Sequence, residues 1–171
     1  MPTRIRLDGG KFALADDPFT AVADDAEIPH GDVIISLTRF QSEGERLLSE
    51  GRLVGVRLES DEEVEALAYD LPRLAVVALA FPKFGDGRAY SYAKILRERY
   101  GFKGEVRAVG DVLREQAGFM VRCGFDAFEP ADGSTLDEWE RAAHRFRHVY
   151  QRSLDGRVPA FAERAFVERE A

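Results

Sequence analysis

A chain of 171 residues with 45% apolar side chains can bury one continuous core and is short for two, so the sequence reads as a single domain spanning 1–171. A net charge of −7 argues against a concentrated basic face for a phosphate backbone, which removes nucleic acid from the expected partners. Cys123 is the only cysteine, so the chain alone can build neither an internal disulfide nor a four-thiolate iron–sulfur site. Residues 1–25 carry repeated acids and no apolar stretch of leader length, no run reaches about eighteen apolar residues, and the expected setting is cytoplasmic, with no membrane contact.

The first predicted element is a β-hairpin. Ile5 and Leu7 precede Asp8-Gly9-Gly10, Phe12 and Leu14 follow it, and the glycines supply the backbone freedom a tight turn needs. Residues 16–31 carry Pro18 and Pro29 among acids and read as an irregular connection. Apolar, β-branched runs then recur at 33–37, 53–58, 74–81, 105–109 and 125–128, each followed by a segment of helical period. That alternation predicts an α/β fold of about five βα units with a mainly parallel sheet, either open and doubly wound or half-barrel-like. The run 74–81 is apolar throughout, as a central strand covered on both faces would be.

Helix starts are predicted from capping boxes at Ser60 with Glu63 and at Thr135 with Glu138. The stripe Val64, Leu67, Ala68, Leu71 ends at Pro72, and Ala89, Tyr92, Ala93, Leu96, Tyr100 ends at Gly101. Leu136, Trp139, Ala143, Phe146 and Tyr150 form a third stripe, whose aromatics are expected in the core. After Pro159, the spacing of Phe161, Ala165 and Phe166 is near-helical; this tail either frays or docks on the domain or on a second copy, in a possible homo-oligomer.

In an α/β sheet, groups free for ligand work gather where strands end and helices begin. The densest such segment is Phe81-Pro82-Lys83-Phe84-Gly85-Asp86-Gly87-Arg88. Exposed amides at a helix start favour an anion, with Lys83, Gly87 and Arg88 as contacts, while Asp86 as a plain N-cap explains the same residues without a ligand. Tyr90 stands where a dinucleotide fingerprint needs its last glycine, and there is no phosphate-loop lysine, so no NAD, FAD or ATP site is predicted and no tightly held flavin, haem or cluster is expected. Arg107, in the next strand, is a fourth candidate anion contact. The loops 83–88 and 107–111 are expected to converge and hold the anion between Arg88 and Arg107. Asp86 and Asp111 are the candidate general acid or base; Asp111 is also placed to cap a following helix, in which Gln116 faces inward and needs a partner. Cys123, at a helix end before Gly124, is expected to be a buried, unreactive thiol. His144 and His148 have i, i+4 spacing but no third ligand, so a solvated face is expected and no metal site is predicted.

Three blocks, FPKFGDGRAYSYAKILRERYG (81–101), GEVRAVGDVLREQAGF (104–119) and MVRCGFDAF (120–128), resemble the bacterial family known as domain of unknown function 934, described as oxidoreductases linked to sulfite reduction. The resemblance points to Lys83, Asp86, Gly87, Arg88, Tyr90 and Ser91, and to Arg107, Gly110, Asp111, Gln116 and Arg122, without assigning a catalytic role. It implies a cytoplasmic part in assimilatory sulfur metabolism beside the sulfite reductase haemoprotein. Three expectations follow for the chain. It is an accessory protein that binds a small anion or the haemoprotein; or an oxidoreductase that uses a diffusible cofactor; or a non-catalytic structural subunit.

Overall fold

The computed structural model describes residues 4–170, with side chains through Ala165. Eight strands join in one mixed sheet: β1 (Arg4–Asp8), β2 (Lys11–Ala15), β3 (Thr20–Ala21), β4 (Val33–Ser36), β5 (Val54–Leu58), β6 (Val76–Phe81), β7 (Glu105–Gly110) and β8 (Ala127–Phe128), in the spatial order 2-1-8-7-6-5-4-3. The strands from β3 to β8 pair in parallel and in sequence order, whereas β1 runs antiparallel to β8 and β2 antiparallel to β1. A doubly wound sheet reverses its strand order part-way; this one does not, which makes it half-barrel-like. The hairpin closes with Asp8 opposite Lys11, and Gly9 and Gly10 both take positive φ, as a two-residue turn of this kind requires.

Sequential order places every crossover on one side. Helices α1 (Leu37–Ser49), α2 (Arg88–Glu98), α3 (Ala117–Cys123) and α4 (Leu136–Ala143) share one apolar core with alternate strand residues such as Val33, Ile35, Val56, Val77, Leu79, Val106 and Phe128. The opposite face is built from Ile34, Val76, Ala78, Ala80 and Val109 under Phe19. Strand β6 is therefore buried at all six positions, in agreement with its uninterrupted apolar run.

The expectation of five βα units is corrected at the second crossover. Instead of a helix capped by Ser60 and Glu63, two 3-10 turns, Val64–Leu67 and Leu71–Arg73, fill it. Val64 and Leu67 are buried at a spacing of three while Ala68 is exposed, which matches the 3-10 period and not the α-helical one. The side chain reaching back is Glu62, to the Glu59 amide, so the reciprocal box is not made. At the second predicted box Thr135 and Glu138 do satisfy each other's amides. Helix α4, however, stops at Ala143, so Phe146 and Tyr150 leave the core stripe and are 70% and 83% exposed. The C-terminal helix, α5 (Ala160–Glu170), forms where the near-helical spacing predicts it; the Phe166 side chain lies outside the described residues.

Candidate functional site

The C-terminal rim of the parallel strands brings together the loop after β5, the loop 82–87 and the loop after β7. The two expected loops do converge: the Phe84 amide donates to Asp111 Oδ2 at 2.7 Å, and the Asp111 amide donates to the Phe81 carbonyl at 2.7 Å. Gly110 makes this turn possible. Its φ is +91°, and a Cβ there would stand 2.5 Å from the Phe81 carbonyl oxygen. Asp111 therefore does not cap a helix, as expected from the sequence, but ties the neighbouring loop; α3 begins only at Ala117, after a 3-10 turn. Gln116 is buried, and its Oε1 accepts from the Leu113 amide at 2.9 Å, the partner its position demanded.

Helix α2 opens at Gly87, whose side-chain-free cap leaves Asp86 just outside the helix. The Arg88 guanidinium lies 2.6 Å from Asp86 Oδ2 and 2.8 Å from Ser60 Oγ, so the loop after β5 and the loop 82–87 meet through one arginine. Hydrogen bonds from Arg88 and Ser60 hold the Asp86 carboxyl well below the usual carboxylate range. Lys83 is exposed on the same loop and makes no ion pair among the described residues.

Arg107 is elsewhere. Its neighbours Val106 and Ala108 point into the helix-covered core, so the strand alternation sends Arg107 to the other face, in a row with Arg57, Ala78 and Ala127 across the sheet. There it is 1% exposed and donates to Asp17 Oδ2 at 2.5 Å, to Glu105 at 2.7 Å and to Glu129 at 2.9 Å. A second bond to Asp17 engages its other terminal nitrogen. Burial by itself would favour the neutral guanidine, but these carboxylates outweigh it and raise the pKa above the ordinary arginine value. Arg4, also buried, pairs with Glu105 and Asp17 in the same cluster. The expected clamp of Arg88 and Arg107 on one anion is thus not what the ion pairs build. Arg88 and Arg107 share no partner, and an anion approaching Arg107 would meet three carboxylates.

The remaining candidates are structural in setting. Cys123 ends α3 and is buried, and burial pushes its thiol up from the ordinary value. Tyr90 is half-buried between Phe81 and Phe119, with ring centroids 5.1 and 4.7 Å away. Arg122 bonds Asp155 at 2.9 Å and the Gln151 carbonyl at 2.6 Å, holding the segment that follows α4. His144 and His148 do not share a helix face, because α4 has ended; His148 Nδ1 lies 2.7 Å from Glu163. Among the described residues, no group of three His, Cys, Asp or Glu side chains is placed to hold a metal ion, and no helix is long and apolar enough to cross a membrane.

The sequence reading missed a second feature. Beyond α4, Phe146, Val149 and Tyr150 line a hollow of about 400 Å³ with Phe119 and Arg157, next to a second of about 390 Å³ that reaches Phe12 in the hairpin. The signal was present as Arg-aromatic interleaving after Ala143, which helical spacing assigned to the core.

No curated protein matches the chain. A family model described as a bacterial protein of unknown function, DUF934, matches residues 55–161, from within β5 to the first residues of α5, and so covers the whole rim and the segment after α4. The chain belongs to that family.

Proposed function

We propose that the chain is a cytoplasmic accessory protein of assimilatory sulfite reduction that acts by binding, with the sulfite reductase haemoprotein as its partner. The pathway comes from the resemblance of the blocks 81–101, 104–119 and 120–128. The mode of action rests on one observation at the rim: the Arg88 guanidinium engages both carboxylate oxygens of Asp86 and is itself held at Ser60 Oγ. A general acid or base works best with a pKa near the working pH, and a carboxylate held far below its usual range is a poor base and is never a neutral acid. The neighbouring Asp111 is engaged by the Phe84 amide. A small anion, if bound, is confined to Lys83, Gly87 and the opening of α2, because four of the five Arg107 donors already meet carboxylates.

The test is co-purification of tagged full-length protein with the haemoprotein, together with calorimetric titration by sulfite, sulfate and phosphate. A stable complex and a purified protein without visible absorbance of its own are the expected results. A stoichiometric flavin band with no complex would replace this reading with the oxidoreductase one.

A further inference from the structure

The segment 141–157 contains five arginines and a single acid, in a chain where acids outnumber basic residues 31 to 24. Elsewhere the protein neutralises its arginines: from Arg4 to Arg122, every arginine except Arg6 has a carboxylate within ion-pair distance. Among the described residues, Arg141, Arg145, Arg147, Arg152 and Arg157 make no ion pair. The guanidinium groups of Arg141 and Arg157 donate to backbone carbonyls, Asp137 O in the first case and Phe146 O and Arg147 O in the second. Arg145 lies over the Phe146 ring at 5.6 Å.

This segment is built, not trailing. The Leu154 amide and the Ser153 hydroxyl donate to the Arg122 carbonyl, the Ala160 amide donates to the Val149 carbonyl, and Val149 pairs with Pro159. The fixed loop presents Phe146 and Tyr150 outward beside exposed Phe119, around the hollow of about 400 Å³. Exposed apolar side chains beside guanidinium groups without a carboxylate partner, Arg145 over the Phe146 ring and Arg147 in the lining of the adjoining hollow, are the composition of an interface anchor with an electrostatic rim.

We infer that this face docks an acidic protein segment carrying an apolar side chain: the apolar group fills the hollow beside Phe119, Phe146 and Tyr150, and the acids meet Arg145, Arg147 and Arg152. Of the acids near the face, Asp155 is engaged by Arg122 and Glu163 lies against His148, while Glu115 lines the hollow on the side of Phe119 and places the partner's acids toward the arginines of the 145–152 stretch. Repulsion from the acidic remainder of the chain is screened beyond about 8 Å at physiological salt, so the local arginines decide the encounter. The inference deepens the binding role proposed above, yet it rests on the patch and not on the partner's identity.

The test titrates full-length protein with three labelled probes: a synthetic peptide of glutamates flanking a central Leu-Phe pair, the same peptide with lysine for each glutamate, and a short oligothymidine. The acidic peptide is expected to saturate below about 1 mM. It should weaken about tenfold in Arg145→Glu with Arg147→Glu, and comparably in Phe146→Ala with Tyr150→Ala. All the altered side chains are exposed, and an unchanged melting midpoint confirms the fold. Equal binding of the two peptides, preference for oligothymidine, no binding of the acidic peptide at that concentration, or self-association abolished by the same substitutions would each overturn the inference. No binding of the acidic peptide with haemoprotein binding intact would sink the patch and keep the accessory role. Loss of haemoprotein binding in the wild type with peptide binding intact would do the reverse.

Discussion

Arg107 and Arg88 place the same guanidinium in two opposite settings, and the contrast shows where this protein puts stability and where it leaves a surface. Arg107 is sealed on the helix-free face of the sheet against Asp17, Glu105 and Glu129, under the Phe19 ring. Through Asp17 it pins the connection after the hairpin onto the strands. Arg88, more than half exposed, joins Asp86 and Ser60 at the rim, in reach of solvent. A buried charge that draws several carboxylates together is costly to remove because those carboxylates are left behind against one another, whereas an exposed pair exchanges readily for water.

Breaking the buried side of that comparison should have the largest effect. Arg107→Met keeps the bulk and strands three carboxylates, and denaturant unfolding is expected to show a loss of about 3–5 kcal/mol. A loss below about 1 kcal/mol would mean the cluster is hydrated and the contrast drawn here is wrong. Gly110→Ala comes next, with about 1–3 kcal/mol from backbone strain alone, because its positive φ and the nearby Phe81 carbonyl both oppose a Cβ. Weaker calorimetric binding of any anion at the rim should accompany it, since Asp111 can no longer hold the Phe84 amide.

Acid titration sharpens the comparison from another side. Burial would raise the Asp17 pKa, but the Arg107 hydrogen bonds and charge, with the Phe19 amide, outweigh it and hold the carboxyl below its ordinary value of 3.8. A depressed folded-state pKa contributes stability that is complete above the unfolded value and is lost as pH falls through the folded one. The melting midpoint should therefore drop on acidification below about pH 4, and Asp17→Asn should flatten that limb while lowering the midpoint at neutral pH. A limb unchanged in Asp17→Asn would assign acid sensitivity to other carboxylates. Cys123→Ala is expected to cost about 1 kcal/mol by emptying a small buried volume, with sulfite-dependent growth retained in a complemented strain. Smallest of all, Arg88→Ala should leave the melting midpoint unmoved; a clear drop would show that the rim is held together through this arginine.

Strand positions were legible because an apolar run with turn signals at its ends is a local property. The five predicted strands match β4 to β8 to within a few residues at each end, and the hairpin follows from Gly9-Gly10 between the alternating pairs Ile5, Leu7 and Phe12, Leu14. The capping box at Thr135 was equally local. Ser60 misled because the same residue types that start an α-helix also bracket 3-10 turns, and the spacing of Val64 and Leu67 serves both periods. Phe146 and Tyr150 misled for a related reason: helical spacing continues past Ala143, but the helix does not.

The sequence by itself determined the succession of strands β4 to β8, the two-sided burial of β6, the buried thiol of Cys123 and the tight turn of the hairpin, since each depends on side chains within a few residues of one another. The tertiary structure decided which face each strand residue occupies and which distant charges meet. Arg107 follows β6 in the sequence as naturally as Arg88 does, yet alternation along β7 and the return of Asp17, ninety residues away, turn it from a ligand contact into a buried ion cluster. The unneutralised arginines after α4 could only be recognised the same way, because whether a charge has a partner is a property of the folded surface and not of the chain.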